Sequence, residues 1–382
     1  MIYVDHADTT RLSDRAFEAM LPWLKEEYGN PSQPYSFSRK PRKAIAEARE
    51  SIAACIGAQP EEIFFTSGGT ESDNWAIKGT ALSICREGAL LVSAFEHHAI
   101  LRACEAIEAD GWPVSYVSPS KEGVIEPESL RKQLTENVKM VSVMMANNEV
   151  GSIQPIQQLA ALAHAHHAFF HTDAVQAVGH IPVNVNELGV DLLSASAHKF
   201  NGPKGVGFLY IRKGTQIFPH ENGGAQENSM RAGTENVAGI VGMAAALQEH
   251  FEAMETEAFH LYSLTDALIQ GIQDIPHVLH GENQERLPGL LSLAFPGYEG
   301  EDHYHQWFFQ DLCNDRLDLM GIAVSTGSAC DSKRTVISHV LKSMRVPEEI
   351  AQSTIRISLG VENTIVDVEA IVNALHRILK KD

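Results

Sequence analysis

Between about residues 40 and 240 the chain repeats one pattern, a helical stretch followed by a short and almost wholly apolar run that ends in polar residues. This alternation constrains the fold more than any other feature. A strand that is apolar along both faces has to be buried on both, and the intervening helices supply the cover, so the pattern describes a largely parallel α/β sheet layered by helices. RKAIAEARESIAACIG carries its apolar residues at helical spacing and stops at Gly57. EEIFFTS, LLVSAF, VKMVSVMMA, AFFHTDA, DLLSASA and VGFLYIR read as strands. VGFLYIR follows a GPKG turn directly, which allows that one strand to run antiparallel.

Beyond the repeat, Glu252 to Ile275 reads as a long amphipathic helix bridging to a second unit. LPGLLSLAFPG, a helical HYHQWFFQDLC, STIRISLG and a terminal helix VDVEAIVNALHRILKKD describe a smaller α+β domain. The expected division is a large domain over 15–255 and a small one formed by 1–14 and 256–382, which suits a chain of 382 residues. No run approaches the roughly 18 apolar residues of a membrane helix, and MIYVDHADTT lacks the basic flank and apolar stretch of a secretory leader. The cytoplasm is the expected location. A net charge of −19 disfavours direct nucleic-acid binding. Five irregularly spaced cysteines give no disulfide framework. Cys55, Cys85 and Cys104 sit in helix-like apolar stretches and read as buried structural thiols. His164, His166, His167 and His171 lack a matching acidic or Cys cluster and read as helix surface, with no metal.

Ligand sites of open α/β sheets form at the carboxyl ends of the strands, so the polar residues there are the candidates. Thr66-Ser67-Gly68-Gly69-Thr70-Glu71-Ser72 follows IFF and leads into a helix, an arrangement suited to a phosphate group. Asp173, followed by Gln176, ends one strand, and Ser196-Ala197-His198-Lys199 ends the next. A lysine, a carboxylate and a phosphate cradle together are what pyridoxal phosphate requires: an amine for its aldehyde, an acid partner for its ring nitrogen and an anion site. His97 follows LLVSAF and Asn148 follows VSVMMA, either able to touch a ring or a substrate. Arg356 stands as a charge within apolar STIRISLG, as a carboxylate fork or as one half of an ion pair. Cys330 lies among small and polar residues in STGSACDSKR, an exposed loop whose Lys and Arg favour the reactive thiolate.

TSGGTESDNWAIKG, EHHA, NNEVG, HTDAVQAVG, SAHKFNGPKGVG, RAGTENVAGIVG, STGSAC and RISLG together resemble the NifS/IscS-type cysteine desulfurases of the class V aminotransferase family, and the STGSAC form resembles the first of that family's two groups, group I. The matches run in order from about residue 3 to 360. The resemblance implies a PLP-dependent transferase of fold type I, with a mainly parallel seven-stranded sheet, acting as a homodimer. It implies that Lys199 forms the Schiff base, Asp173 pairs with the ring nitrogen, Gln176 meets the ring oxygen and His97 stacks on the ring and carries protons. Gly69, Thr70, Ser196 and His198 would hold the phosphate, with Thr234 reaching it across the dimer. Asn148 and Arg356 would bind the substrate, L-cysteine. Cys330 would take its sulfur as a persulfide, leaving L-alanine, and pass it to an acceptor protein, either an iron–sulfur scaffold or a thiolation enzyme. Asp8 departs from the family's usual small residue, and Glu227-Asn228-Ser229 lacks a usual Arg. A selenocysteine lyase, another fold type I enzyme and a PLP-bound interaction subunit share parts of the pattern. Cys330 and Lys199 together favour the desulfurase.

Overall fold

The computed structural model describes residues 1–84, 88–296, 309–325 and 337–379. The chain opens with a two-residue strand, β1 (Ile2–Tyr3), and a helix at Asp14–Lys25 capped by Ser13. The alternating region then gives β2 (Ile63–Thr66), β3 (Ala89–Ser93), β4 (Val114–Val117), β5 (Val138–Ser142), β6 (Phe169–Asp173), β7 (Leu192–Ser196) and β8 (Gly207–Ile211). These seven form one sheet in the order β2-β8-β7-β6-β5-β3-β4. The pairs from β7 through to β4 are parallel, and β8 runs antiparallel to both β2 and β7, as its short GPKG connection allows.

Neighbouring residues on each strand enter different cores. Leu91, Leu193 and Phe208 pack with Ile52 and Phe170 on one face, whereas Leu90, Leu192 and Leu209 pack with Trp75 and Ile100 on the other. Burial on both faces is why the strands read as unbroken apolar runs. The helix Arg39–Ile56 covers the first face and ends at Gly57, whose φ of 70° is a left-handed C-cap.

The long helix spans Val237–Gly271, so it begins 15 residues before the Glu252 expected from periodicity. Its first turns, AGIVGMAAAL, are rich in small residues, glycine and alanine, that carry little amphipathic signal. They are small because another helix lies against them: a Cβ on Gly242 would sit 2.6 Å from Met20 Cγ. Beyond it come β9 (Val278–Leu279), β10 (Leu290–Ala294), β11 (Ile322–Ala323) and β12 (Thr354–Ser358). The order β12-β10-β9 is antiparallel, while β11 pairs with β1. This sheet has its own core of Leu264, Leu268, Leu293, Ile355, Ile371 and Leu375, which Val4 joins from the chain's start.

The reading of the four histidines as helix surface fails at His171. That residue lies in β6 and is completely buried, because Ser142 Oγ at 2.9 Å and Ser194 Oγ at 3.0 Å on the flanking strands satisfy both ring nitrogens. His164 is partnered too, 2.8 Å from Asp191. Cys55 and Cys104 are buried thiols, and Cys85 lies outside the described residues. Among the described residues no helix is long and apolar enough to cross a membrane.

Strand β8 passes so close to the turn after β2 that a Cβ on Gly207 would fall 2.4 Å from the Ala195 carbonyl and 2.7 Å from Gly68 Cα. Backbone cannot yield there, so Gly207→Ala is expected to cost about 1–3 kcal/mol in denaturant unfolding. Gly205→Ala meets no atom within 4 Å and carries only the strain of a φ of 77°, about 1 kcal/mol. The smaller loss at Gly205 is the check.

Candidate active site

The carboxyl ends of β2, β3, β5, β6 and β7 open on one cavity of about 530 Å³. Gly69, Thr70, His97, Asn148, Asp173, Gln176, Ser196, His198, Lys199 and Arg356 all line it. Ten residues separated by up to 287 positions (356 − 69) thus converge on one site. Thr234 does not line it. That residue lies in a separate groove of about 190 Å³ with Ser67, Gly205 and Arg231. Cys330 falls outside the described residues.

After β2, Gly68 turns the chain with a φ of 146° and precedes the helix Gly69–Ser83, whose first amides face no intrahelical partner. Thr66 Oγ1 and Ser72 Oγ lie 2.8 Å apart, and Ser67 N donates to Glu71 Oε2 at 2.9 Å, which fixes the turn. Gly69 is required by packing, since a Cβ there would meet Val175 Cγ2 at 2.6 Å.

Asp173 ends β6 almost fully buried, with Oδ1 accepting from Val175 N at 2.9 Å. Burial raises its pKa, opposed by that hydrogen bond and by Lys199. Lys199 follows β7 on a single 3-10 turn, and its Nζ donates to the Ala7 carbonyl at 2.6 Å and to the Asp8 carbonyl. Burial, aided by the positive charge of Arg356, brings its pKa down to about 8. Gln176 Nε2 donates to the same Ala7 carbonyl at 2.8 Å, so residues 7 and 8 form one wall of the site.

His97 caps the helix His98–Ala109, its Nδ1 accepting from Ala99 N at 3.1 Å. Burial first, then Lys199, lowers its pKa to about 4, so the ring is neutral near pH 7 with its proton on Nε2. After β5, Asn147 Oδ1 accepts from Glu149 N and Val150 N, which sets Asn148 in the wall. The Asn148 carbonyl accepts from Arg356 Nη1 at 2.8 Å, and Arg356 Nη2 meets Asp5 Oδ1 at 2.7 Å. Arg356 is therefore half of a buried ion pair, and its Nε keeps a proton with no partner. Asp8, Asp73, Lys204 and His339 also line the cavity. Asp73 and His339 carried no distinguishing sequence signal, Lys204 was hidden in the GPKG turn, and Asp8 stood out only as a departure.

Residues 2–371 match the aminotransferase class-V family. The chain belongs to that family. The cysteine desulfurase IscS of Dictyoglomus turgidum is 48% identical over 100% of this chain and 95% of its own. That of Methanosarcina thermophila is 43% identical over 100% and 92%. A solved NifS-like protein superposes with a TM-score of 0.91 at 37% identity, covering 99% of each chain. As a class-V aminotransferase the chain uses pyridoxal 5'-phosphate, and the site fits it on its own terms. A glycine turn at a helix start suits the phosphate, the buried Asp173 a cationic ring nitrogen, and the desolvated Lys199 amine an aldehyde.

Because burial and Arg356 both disfavour the ammonium, the Lys199 amine is free above about pH 8 rather than about 10.5. In the cofactor-free protein, acetylation of Lys199 by limiting acetic anhydride, quantified by mass spectrometry, is expected to rise through about pH 8. Arg356→Gln removes a repelling charge and is expected to move that midpoint upward.

Proposed function

We propose that this chain is a cysteine desulfurase that converts L-cysteine to L-alanine and takes the sulfur on Cys330 as a persulfide. The observation that carries the reading is the half-buried Lys199 amine facing the same cavity as Asp173, from the ends of adjacent strands, in a chain whose full-length relatives are cysteine desulfurases.

Pyridoxal phosphate, when bound, supplies an aldehyde for the substrate's amino group and a ring that delocalises negative charge. Gly69, Thr70, Ser196 and His198 would hold its phosphate, and Asp173 favours a proton on the ring nitrogen because an opposed charge stabilises the cationic form. Gln176 stands in the wall beside Asp173 to meet the ring oxygen. Lys199, its pKa brought down to about 8, is the amine that holds the aldehyde and then moves protons at the substrate's α-carbon. His97 presents Nε2–H as a second proton carrier. Arg356 and Asn148, both in the cavity wall, would fix the substrate carboxylate. The Cys330 thiolate attacks the substrate sulfur: an S–S bond forms, the Cβ–S bond breaks with its electron pair staying on carbon, and protonation there completes alanine. L-cysteine and one thiol thus yield L-alanine and one persulfide, with no external oxidant.

A homodimer completes the picture. Thr234 lies away from the cavity, in a groove with Ser67, and would serve the site of a second copy. Phe17, Leu21, Leu24, Tyr28 and Phe37 are exposed apolar residues available for such a contact. The persulfide would leave to an acceptor protein, an iron–sulfur scaffold or a thiolation enzyme. Few, irregularly spaced cysteines suit the reducing cytoplasm.

The test is release of alanine and sulfide from L-cysteine with a reductant, alongside the absorbance of bound cofactor. Wild type is expected to form both products, and Cys330→Ala to keep the absorbance while losing at least about 100-fold in rate. Wild type that binds the cofactor but forms no alanine would contradict the reading.

A further inference from the structure

Beneath Asp173 lies a layer of buried polar groups that none of the steps above uses. Asp73, one turn into the helix Gly69–Ser83, is 1% exposed, and its Oδ1 has no hydrogen-bond partner. That oxygen lies 3.8 Å from His171 Nε2. His171 is two residues before Asp173 on β6, so both side chains project from the same face of the strand. The imidazole bridges Ser142 Oγ and Ser194 Oγ on the flanking strands, and the Ser194 hydroxyl faces the Asp73 carboxyl, opposing the upward pull of burial on its pKa. Glu96, fully buried, closes the layer: Oε1 accepts from Met144 N at 2.6 Å and from Ser93 Oγ, and Oε2 is unpartnered.

Asp73, Asp173 and Glu96 are thus three carboxyl groups in one desolvated layer, faced by a single imidazole and, from the cavity, by Lys199. They cannot all be ionised, because like charges without solvent oppose one another. Asp173 has a backbone N–H and the Lys199 charge in its favour. Asp73 has neither, and burial followed by the Asp173 charge drives its pKa well up. Burial likewise pushes Glu96 up to about 8, and it brings His171 down to about 3, so the imidazole is no compensating cation.

We propose that Asp73 is a positioning residue for the cofactor: as the neutral acid it donates to Ser194, closes an Asp73–Ser194–His171–Ser142 chain beneath the ring site, and leaves Asp173 as the anion that faces the ring nitrogen. The proton order follows from the donors. Asp73 Oδ–H donates to Ser194 Oγ, Ser194 Oγ–H to His171 Nε2, and His171 Nδ1–H to Ser142 Oγ. The opposite order would leave a carboxylate at Asp73 with one hydrogen bond and no cation, the costlier state. The two His171 links cross from β6 to β5 and to β7, so the chain also holds these strands in the alignment that aims Asp173.

This inference rests on the assignment of Asp173 above, and the test separates the two. A proton on the ring nitrogen lowers the proton affinity of Lys199's nitrogen once bonded to the cofactor, so weakening Asp173 raises the pH midpoint of the bound-cofactor absorbance. In the purified holoenzyme, Asp73→Asn, a neutral near-isostere, is expected to leave that midpoint in place. Asp73→Ala is expected to raise it by about one unit and to weaken cofactor retention about tenfold. Ser194→Ala, which breaks the chain from the other side and decides the matter where Asp73→Ala fails to fold, is expected to raise it likewise. A midpoint shifted by Asp73→Asn as far as by Asp173→Asn would overturn the proposal, since Asp73 would then be the charged group. An unmoved midpoint in Asp73→Ala and Ser194→Ala would overturn it too. A cofactor absorbance that survives Lys199→Ala would instead contradict the proposed function.

Discussion

Everything at the site depends on one desolvated pair, the Lys199 amine and the Asp173 carboxyl at the ends of two adjacent parallel strands. Burying either charge alone is costly, and the fold offsets the cost with backbone dipoles. Two carbonyls of the entering chain accept from Nζ, and the Val175 amide donates to the carboxylate. The result is an amine with its pKa near 8 and a carboxyl in the wall of the same cavity. The parallel sheet is what allows it, because β5, β6 and β7 deliver their following residues to the same edge.

The first ten residues bind the two sheets to this pair. Val4 joins the core of the smaller sheet, Asp5 engages Arg356 on β12, Ala7 takes hydrogen bonds from Gln176 and Lys199, and Thr10 donates to the His198 carbonyl. A rearrangement of the smaller sheet therefore alters the positive charge that lowers the Lys199 pKa. Arg356 and the amine are thus linked through Asp5 and Ala7 of the entering chain.

Much of this was readable before any coordinates. The unbroken apolar runs follow from burial on both sheet faces, and the short GPKG turn allowed β8 to run antiparallel, as it does. Lys199, Asp173 and the Gly68-Gly69 turn were visible because each stands just past a strand end. Other features left no local trace. Ala7 acts through its carbonyl, which any residue possesses. Asp73 occupies a helix position where an aspartate ordinarily meets water, and only the 0% exposed His171 beside it reveals its burial. His171 itself was misread because its partners, Ser142 and Ser194, are 29 and 23 positions away on other strands. The start of the long helix was missed because close approach to Met20 demanded glycine and alanine in place of an amphipathic stripe.

The most direct measurement is to reduce the purified holoenzyme with borohydride, digest it and locate the pyridoxyl group by mass spectrometry. The account predicts one stoichiometric modification, on Lys199, with none on neighbouring Lys204. Attachment at Lys204 or on scattered surface lysines, or none at all, would contradict the claim that the half-buried amine after β7 organises this site.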